Sequence, residues 1–395
     1  MNPLMTRLMP YPFEKLKHLT AHITPANLPE VSWSIGEPKH AAPSFLSRTL
    51  TQHIGGFSQY PATNGLLALR AAISQWCQRR FQLPADSLSA EQHVLPVTGT
   101  REALFSIVQA LFNAASSKRE VWMPNPFYQI YEGATFLAGG EPRYLPCLAD
   151  TDYQPNFDAL SDADWDNCQM VFLCTPGNPS GQPLSLEQLQ RLIRKAIAHD
   201  VILISDECYS ELYRDENRPP PGLLQAAAAM GHCDFRNCLV FHSLSKRSNL
   251  PGLRSGFVAG DARLIAEFLR YRTYHGCAMP LPHQHVSIAA WQDETHVAEN
   301  RSLYNQKYQA VYDILSDKIP VRIPQASFYL WPNLERDDTQ VACEWLEKAN
   351  IRVLPGQYLC RTVDGLTPGY GHVRIALVAE LDACIDAAER LRALL

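Results

Sequence analysis

One short basic turn contains the residue types needed to bind a phosphate and to react with a carbonyl. The apolar run 239–241 ends in this turn, which carries Ser243, Ser245 and Lys246, and Arg254 follows beside glycines. Serine hydroxyls and an arginine fork suit a phosphate, and the lysine amine stays free to condense with a carbonyl. Taken alone, the turn is either a site for a phosphorylated aldehyde such as pyridoxal phosphate or a solvated basic loop.

A carboxylate ends another apolar run. Asp206 follows the run 201–205, where burial of its charge requires a cation or a hydrogen-bond donor. A protonated pyridine nitrogen is such a partner, and Tyr209 could donate to a ring oxygen of the same ligand. The alternative is that Asp206 caps the helix that follows.

Three further motifs lie where predicted strands end. Gly99, Thr100 and Arg101 open a predicted helix, whose N-terminus is either an anion site or an ordinary threonine cap. Tyr128 could stack on a planar ring, or it could pack in the core. Asn178 lies in a turn that prolines and glycines make rigid, and it offers both a donor and an acceptor.

A second arginine lies in an apolar strand of the C-terminal lobe. Arg374 falls within the run 372–377, where a half-buried guanidinium requires a carboxylate. Its fork matches a carboxylate bidentately. That carboxylate belongs either to a substrate or to a structural salt bridge.

Composition sets limits on the class of protein. The chain has 395 residues, 46% of them apolar, and a net charge of -5, so we expect two domains and no attraction to nucleic acid or anionic membranes. No apolar run approaches the roughly 18 residues of a membrane span, and the start lacks the apolar core of a secretion signal, which predicts a cytoplasmic protein. The 11 cysteines show no four-ligand zinc spacing, so we expect reduced thiols and no structural metal.

Apolar runs alternate with helical segments between about residues 95 and 260. This alternation is typical of an α/β fold with a mostly parallel sheet that is covered on both faces. Ligands bind outside the carboxyl ends of such strands, which is where the polar motifs lie. Strands are predicted at 121–123, 171–174, 201–205 and 239–241, and helices at 101–112, 186–199 and in the alanine-rich stretch before Gly231.

The remaining elements are predicted to form a smaller lobe. A long helical stretch over 282–315 is expected to connect the two lobes, and the proline-rich first 45 residues are expected to be irregular. Those residues could pack on the smaller lobe or reach a partner chain. The lobe itself is predicted to contain a helix near 341–348, strands at 351–354 and 372–378, and a closing amphipathic helix.

In their order and placement, these motifs resemble those of the fold-type-I pyridoxal-phosphate aminotransferases of class I and II, over essentially the whole chain. The resemblance implies a large cofactor-binding domain over 46–281, with a mostly parallel sheet between helices. It implies a smaller α+β domain formed by 1–45 and 282–395. It also implies a homodimer with shared active sites, in which Tyr60 enters the phosphate site of the neighbouring subunit.

The resemblance also implies residue roles. Lys246 would form a Schiff base with pyridoxal 5′-phosphate, and Asp206 and Tyr209 would act at the pyridine nitrogen and the ring oxygen. Gly36, Asn178 and Arg374 match substrate-binding positions. The implied cofactor-binding residues are Tyr60, Gly99, Thr100, Arg101, Tyr128, Asn178, Asp206, Tyr209, Ser243, Ser245, Lys246 and Arg254.

A narrower resemblance, over 99–105, 126–131, 271–279 and 289–301, is to the bacterial succinyldiaminopimelate aminotransferases of lysine biosynthesis. It implies glutamate as the amino donor, giving 2-oxoglutarate, and N-succinyl-2-amino-6-oxopimelate as the acceptor. Aspartate, aromatic or kynurenine specificity and a pyridoxal-phosphate-dependent C–S lyase are the alternatives. Lys39, Arg272 and His275 are candidates for reading the succinyl group.

Overall fold

The structure, a computed structural model that describes residues 1–395, alternates strands and helices along most of the chain. The strands are β1 (Val31–Ser32), β2 (Val94–Val97), β3 (Glu120–Asn125), β4 (Glu141–Pro146), β5 (Cys168–Cys174), β6 (Ile202–Asp206), β7 (Cys238–Ser243), β8 (Gly256–Gly260), β9 (Tyr329–Leu330), β10 (Ile351–Arg352), β11 (Leu354–Pro355) and β12 (Val373–Ala376). The helices are α1 (Pro12–Leu19), α2 (Phe45–His53), α3 (Leu67–Phe81), α4 (Thr100–Leu111), α5 (Gln129–Leu137), α6 (Asp162–Asn167), α7 (Leu186–Ala198), α8 (Leu223–Ala229), α9 (Leu244–Arg247), α10 (Ala262–His275), α11 (Leu281–Gln292), α12 (Thr295–Leu315), α13 (Asp338–Ala349) and α14 (Leu381–Leu394).

Seven strands form one sheet in the order β2-β8-β7-β6-β5-β3-β4. Every neighbouring pair from β7 to β4 is parallel, and β8 alone runs antiparallel to both of its neighbours. This sheet confirms the predicted α/β class. Because β5, β6 and β7 are parallel neighbours, the turns that follow them meet at one edge, which brings Asn178, Asp206 and Lys246 together.

Helices cover both faces of this sheet. One core contains Trp76, Trp122 and Trp291 on the side of α3, α7, α8 and α11. The other contains Leu104 and Phe268 on the side of α4, α5 and α10. Burial of each such large apolar side chain contributes about 1.5–3 kcal/mol, so the two cores hold the strand ends in fixed positions.

A smaller lobe packs beside the carboxyl edge of the large sheet. It contains the antiparallel strands β11, β12 and β9 and the parallel pair of β1 with β10. Its core includes Trp33, Trp345 and Ile375. The pairing of β1 with β10 shows that the N-terminal segment packs on this lobe. The domain boundaries at 45–46 and 281–282 stay a prediction.

Three predicted elements differ from the structure. The stretch 282–315 is two helices, because the Asp293 carboxylate accepts the His296 backbone N–H (3.0 Å) and interrupts the first helix. The first 45 residues are not wholly irregular, since Pro12 starts α1, as prolines at a first helical position do. The predicted strand 351–354 divides between two sheets. No helix combines the length and apolar character that crossing a membrane requires.

Candidate active site

A cavity of about 740 Å³ opens at the carboxyl edge of the large sheet, beside the smaller lobe. The ends of β5, β6 and β7, the start of α4, the segment after β1 and strand β12 all contribute to its wall. It brings together twelve of the predicted site residues: Gly36, Thr100, Arg101, Tyr128, Asn178, Asp206, Tyr209, Ser243, Ser245, Lys246, Arg254 and Arg374.

Lys246 lies on the short helix α9, which begins directly after β7. Its Nζ donates to the carbonyl oxygen of Gly36 at 2.5 Å and lies 5.1 Å from the centre of the Phe328 ring. Burial lowers the pKa of Lys246 to about 8, and the charge of Arg374 acts in the same direction. A larger fraction of this amine is therefore uncharged near neutral pH than in an ordinary lysine, which suits a nucleophile and a general base.

Asp206 is a buried carboxylate whose partners are neutral. Oδ2 accepts from the Tyr131 hydroxyl (2.7 Å), and Oδ1 accepts from the Cys208 backbone N–H (3.3 Å). Burial raises the pKa of Asp206, and these hydrogen bonds oppose that rise. The bond from Cys208 closes a turn, and no helix follows directly, so the helix-cap interpretation is wrong. A cationic ligand group at this carboxylate would compensate the buried charge.

A cation and a helix N-terminus meet at one end of the cavity. Gly99 precedes α4 with φ +89°, and a Cβ there would collide with the guanidinium of Arg254. Ser243 Oγ accepts from the Ser245 backbone N–H (3.0 Å) beside them. The positive end of α4, the hydroxyls and Arg254 together form an anion site of the kind that binds phosphate.

The Arg101 side chain points to a pair of tyrosines. Its Nε donates to the Tyr128 hydroxyl (2.6 Å), and its Nη2 donates to the Tyr11 hydroxyl (3.2 Å). The side chain is exposed at the cavity mouth. If Arg101 binds the phosphate, as predicted, it would do so through its backbone N–H. That role of Arg101 stays a prediction.

Arg374 reaches the cavity from β12 and is 4% exposed. Nη1 donates to Asn178 Oδ1 (3.1 Å), Nη2 donates to the Ser34 carbonyl (2.8 Å), and Nε has no hydrogen-bond partner. Both acceptors are neutral, so the alternative of a structural salt bridge is wrong. A carboxylate that enters the cavity would supply the missing countercharge.

Four other predicted residues lie away from this cavity. Tyr60 is fully exposed on another surface. The expectation that Arg272 reads a substrate is wrong, because it is fully buried and its Nη1 binds Glu102 at 2.7 Å. Neither Lys39 nor His275 lines the cavity.

Two residues that contact the predicted site residues were not predicted from the sequence. Tyr131, which holds Asp206, lies three residues after Tyr128 within the motif 126–131, so its helical spacing could have identified it. Tyr329, whose hydroxyl lies 3.0 Å from that of Tyr209, comes from the smaller lobe and carried no such signal.

These residues fit the pyridoxal phosphate that the resemblance implies. Asp206 has no cationic partner, and a protonated ring nitrogen would be one. The end of the cavity that contains Arg254 and the N-terminus of α4 suits the phosphate. Lys246 supplies an amine with a lowered pKa in the same cavity. Tyr128 lines that cavity and could stack on the ring.

Comparison with known proteins agrees with this geometry. The family model for aminotransferase class I and II matches residues 29–387. An LL-diaminopimelate aminotransferase of Maridesulfovibrio salexigens is 29% identical, and the match covers 98% of this chain and 97% of that protein. A crystal structure of an aminotransferase from Neisseria meningitidis has a TM-score of 0.95 and 46% identity, with 100% of each chain covered. The aminotransferase AspB from Helicobacter pylori has a TM-score of 0.90 and 35% identity, with 98% of each chain covered. This chain belongs to the class I and II aminotransferases, which depend on pyridoxal phosphate.

Proposed function

We propose that the protein transfers the amino group of glutamate to N-succinyl-2-amino-6-oxopimelate, giving N-succinyl-diaminopimelate in bacterial lysine biosynthesis. Family membership supports the transamination, and the name of the Maridesulfovibrio relative supports a diaminopimelate compound as substrate. The observation that carries the proposal is that two arginines of the cavity have no carboxylate partner. Arg374 lies within the cavity, and Arg101 lies at its mouth. Such a pair suits a substrate with a carboxylate at each end. A cytoplasmic location is part of this proposal.

Four polar residues of the cavity have a defined task in this reaction: Arg374, Lys246, Asp206 and Tyr209. When bound, pyridoxal phosphate supplies an electron sink for negative charge that develops on the substrate Cα. Arg374 binds the α-carboxylate and thereby orients the Cα–H bond. Lys246 removes the proton from Cα as a general base and returns a proton as a general acid. Asp206 would hold the ring nitrogen, and Tyr209 would donate to the ring oxygen.

Arg101 is proposed to read the distal carboxylate of the acceptor. Its hydrogen bonds go to two tyrosine hydroxyls, and the neighbouring carboxylate of Glu102 is bound by Arg272. Arg101 therefore has no carboxylate partner in the cavity that it lines together with Arg374. A charge-assisted hydrogen bond here would contribute about 1.5–3 kcal/mol.

A half-reaction screen tests this assignment. The cofactor-loaded enzyme is mixed with glutamate, succinyl-diaminopimelate, LL-diaminopimelate or alanine, and the cofactor absorbance is followed. We expect glutamate and succinyl-diaminopimelate to react. Arg101→Met should slow the succinyl substrate by about 10- to 100-fold, since a charge-assisted bond is lost. Arg101→Lys should recover part of that rate, and alanine, which has no distal carboxylate, should be unaffected.

The same screen, extended to aspartate, aromatic amino acids, kynurenine and cystathionine, separates the alternatives. Reaction with LL-diaminopimelate and none with the succinyl compound would replace our substrate with that of the Maridesulfovibrio relative. Reaction with aspartate or an aromatic amino acid alone would assign another specificity. Pyruvate release from cystathionine without a keto acid would indicate a C–S lyase.

We also propose that two copies of this chain form a homodimer. An exposed apolar surface follows α2 along the chain, and its members are Ile54 (58% exposed), Phe57 (55%), Tyr60 (103%) and Leu67 (50%). Four large apolar side chains so close in sequence are typical of a protein interface. In the dimer that the resemblance implies, Tyr60 of this surface would enter the phosphate site of the partner.

Sedimentation and cofactor titration test the dimer. We expect Phe57→Glu to shift the sedimenting species from dimer to monomer, because it places a charge in the apolar interface. Tyr60→Phe should keep the dimer but weaken pyridoxal phosphate binding by about tenfold, as loss of one hydrogen bond to a charged group predicts. Tyr370→Phe, at another exposed tyrosine, is the matched control. A wild-type monomer with full activity would refute the shared site.

A further inference from the structure

We propose that a hydrogen-bonded relay, Lys307–His40–Asn300, positions the reactive lysine turn and works only while His40 is neutral. The relay adjoins the C-terminal end of α9, and its central residue, His40, is half-buried. None of its members lines the substrate cavity. They therefore act through Lys246, as positioning residues, and the inference requires only the transamination that family membership establishes.

Asn300 holds the end of the lysine-bearing helix. Its Nδ2 donates to the carbonyl oxygens of Lys246 (3.2 Å) and Arg247 (3.3 Å). The last carbonyls of a helix have no partner within the helix, so these two require an external donor. Asn300 is 6% exposed, and together with His40 it lines a cavity of about 370 Å³ that is separate from the substrate cavity.

The hydrogen-bond partners of His40 permit only one protonation state of its ring. Asn300 Oδ1 can only accept, so the His40 Nδ1 at 2.7 Å carries a hydrogen. The Lys307 ammonium can only donate, so the His40 Nε2 at 2.6 Å carries none. His40 is thus fixed as the neutral Nδ1–H tautomer, and the Asn300 amide is oriented toward α9.

The segment that contains His40 also contacts the lysine turn directly. The Gly36 carbonyl accepts from Lys246 Nζ, and the His40 carbonyl accepts from Asn249 Nδ2. The relay therefore joins α12, the segment after β1 and α9 into one polar unit. Loss of the relay would let the lysine move relative to Arg374, which lowers the rate of proton transfer more than it weakens substrate binding.

The groups that face His40 set the pH at which the relay fails. Burial lowers the pKa of His40, and the charge of Lys307 from α12 acts in the same direction. The bond with Asn300 and the charge of Glu380, which precedes α14, oppose this. The Tyr304 ring of α12 lies 4.5 Å from the His40 ring between centres, and burial raises the pKa of Tyr304, so it faces His40 as a neutral phenol. Protonation would place an N–H of His40 against the Lys307 ammonium. The relay is therefore intact above the pKa of His40 and is lost as the pH falls through it, below the ordinary histidine range.

Two variants of the holoenzyme test the relay through kcat and KM as functions of pH. His40→Gln keeps a donor and an acceptor but cannot be protonated, so we expect near-normal kcat at neutral pH and loss of the acid-side decline. His40→Leu should lower kcat by about tenfold above the pKa of His40, where the wild-type relay is intact, and should approach the wild-type kcat below it, with little change in KM. His40→Gln folds with the same polar partners, so it stays informative if His40→Leu is unstable.

Proton NMR of the histidine C2–H signals adds a readout that does not depend on activity. The His40 resonance is assigned by its absence in His40→Gln. Lys307→Met removes the positive neighbour, so we expect the His40 resonance to titrate at higher pH. An acid-side decline that persists in His40→Gln, full kcat in His40→Leu at neutral pH, or an unchanged His40 titration in Lys307→Met would overturn the relay.

Discussion

Replacement of Lys246 by alanine is expected to abolish transamination. Loss of a positioned general base and acid alone costs about 10²- to 10⁴-fold in rate. No other side chain of the cavity combines an amine with a lowered pKa, since the other cations there are the guanidinium groups of Arg101, Arg254 and Arg374. The measurement is single-turnover conversion of glutamate by the cofactor-loaded variant, followed by cofactor absorbance.

The control for this variant is Lys195→Ala. Lys195 lies on α7, pairs with Asp162 on the surface and is 45% exposed, so its loss should leave turnover unchanged. Lys246→Arg keeps a charge but not a nucleophilic amine, and we expect it to be as inactive as the alanine variant. Near-normal transamination by Lys246→Ala would show that the role assigned to Lys246 is wrong.

The residues that line the carboxyl edge of the large sheet could be predicted, because the position of such residues follows from the strand pattern. Apolar runs without polar alternation indicate parallel strands, and the polar residues that follow such strands meet at one edge. Asp206, Asn178 and Lys246 were located in this way from their position after apolar runs. Their pKa shifts could not be predicted, because those depend on the burial that the finished fold imposes.

Contacts between the lobes could not be predicted from local pattern. Tyr329 and the relay residues His40 and Lys307 come from distant parts of the chain, and only the docking of the smaller lobe brings them to the site. The break between α11 and α12 also escaped prediction, because a single carboxylate at Asp293 causes it without any proline or glycine. Resemblance to a family supplied the Arg374 role, which the strand pattern alone left open.

Asp206→Asn is expected to change the apoenzyme and the holoenzyme in opposite directions. In the apoenzyme the carboxylate is buried without a cation, and burial raises its pKa. An acid whose pKa is raised on folding destabilises the folded protein increasingly as the pH rises above the unfolded value of about 3.9. The amide removes this penalty, so the variant apoenzyme should have a higher Tm than the wild type at neutral pH.

In the holoenzyme the same substitution breaks a buried ion pair with the ring nitrogen. Such a loss costs about 3–5 kcal/mol, so cofactor affinity should fall by about 200- to 5,000-fold. Asp206→Glu keeps the charge and should retain more of the affinity, and Asp158→Asn, on an exposed side chain, should change neither property. The measurements are Tm by thermal unfolding with and without cofactor, and fluorescence titration with pyridoxal phosphate. Because a purely structural role for Asp206 would lower the Tm in both states, a destabilised Asp206→Asn apoenzyme with unchanged cofactor affinity would rule out the charge pairing on which the site depends.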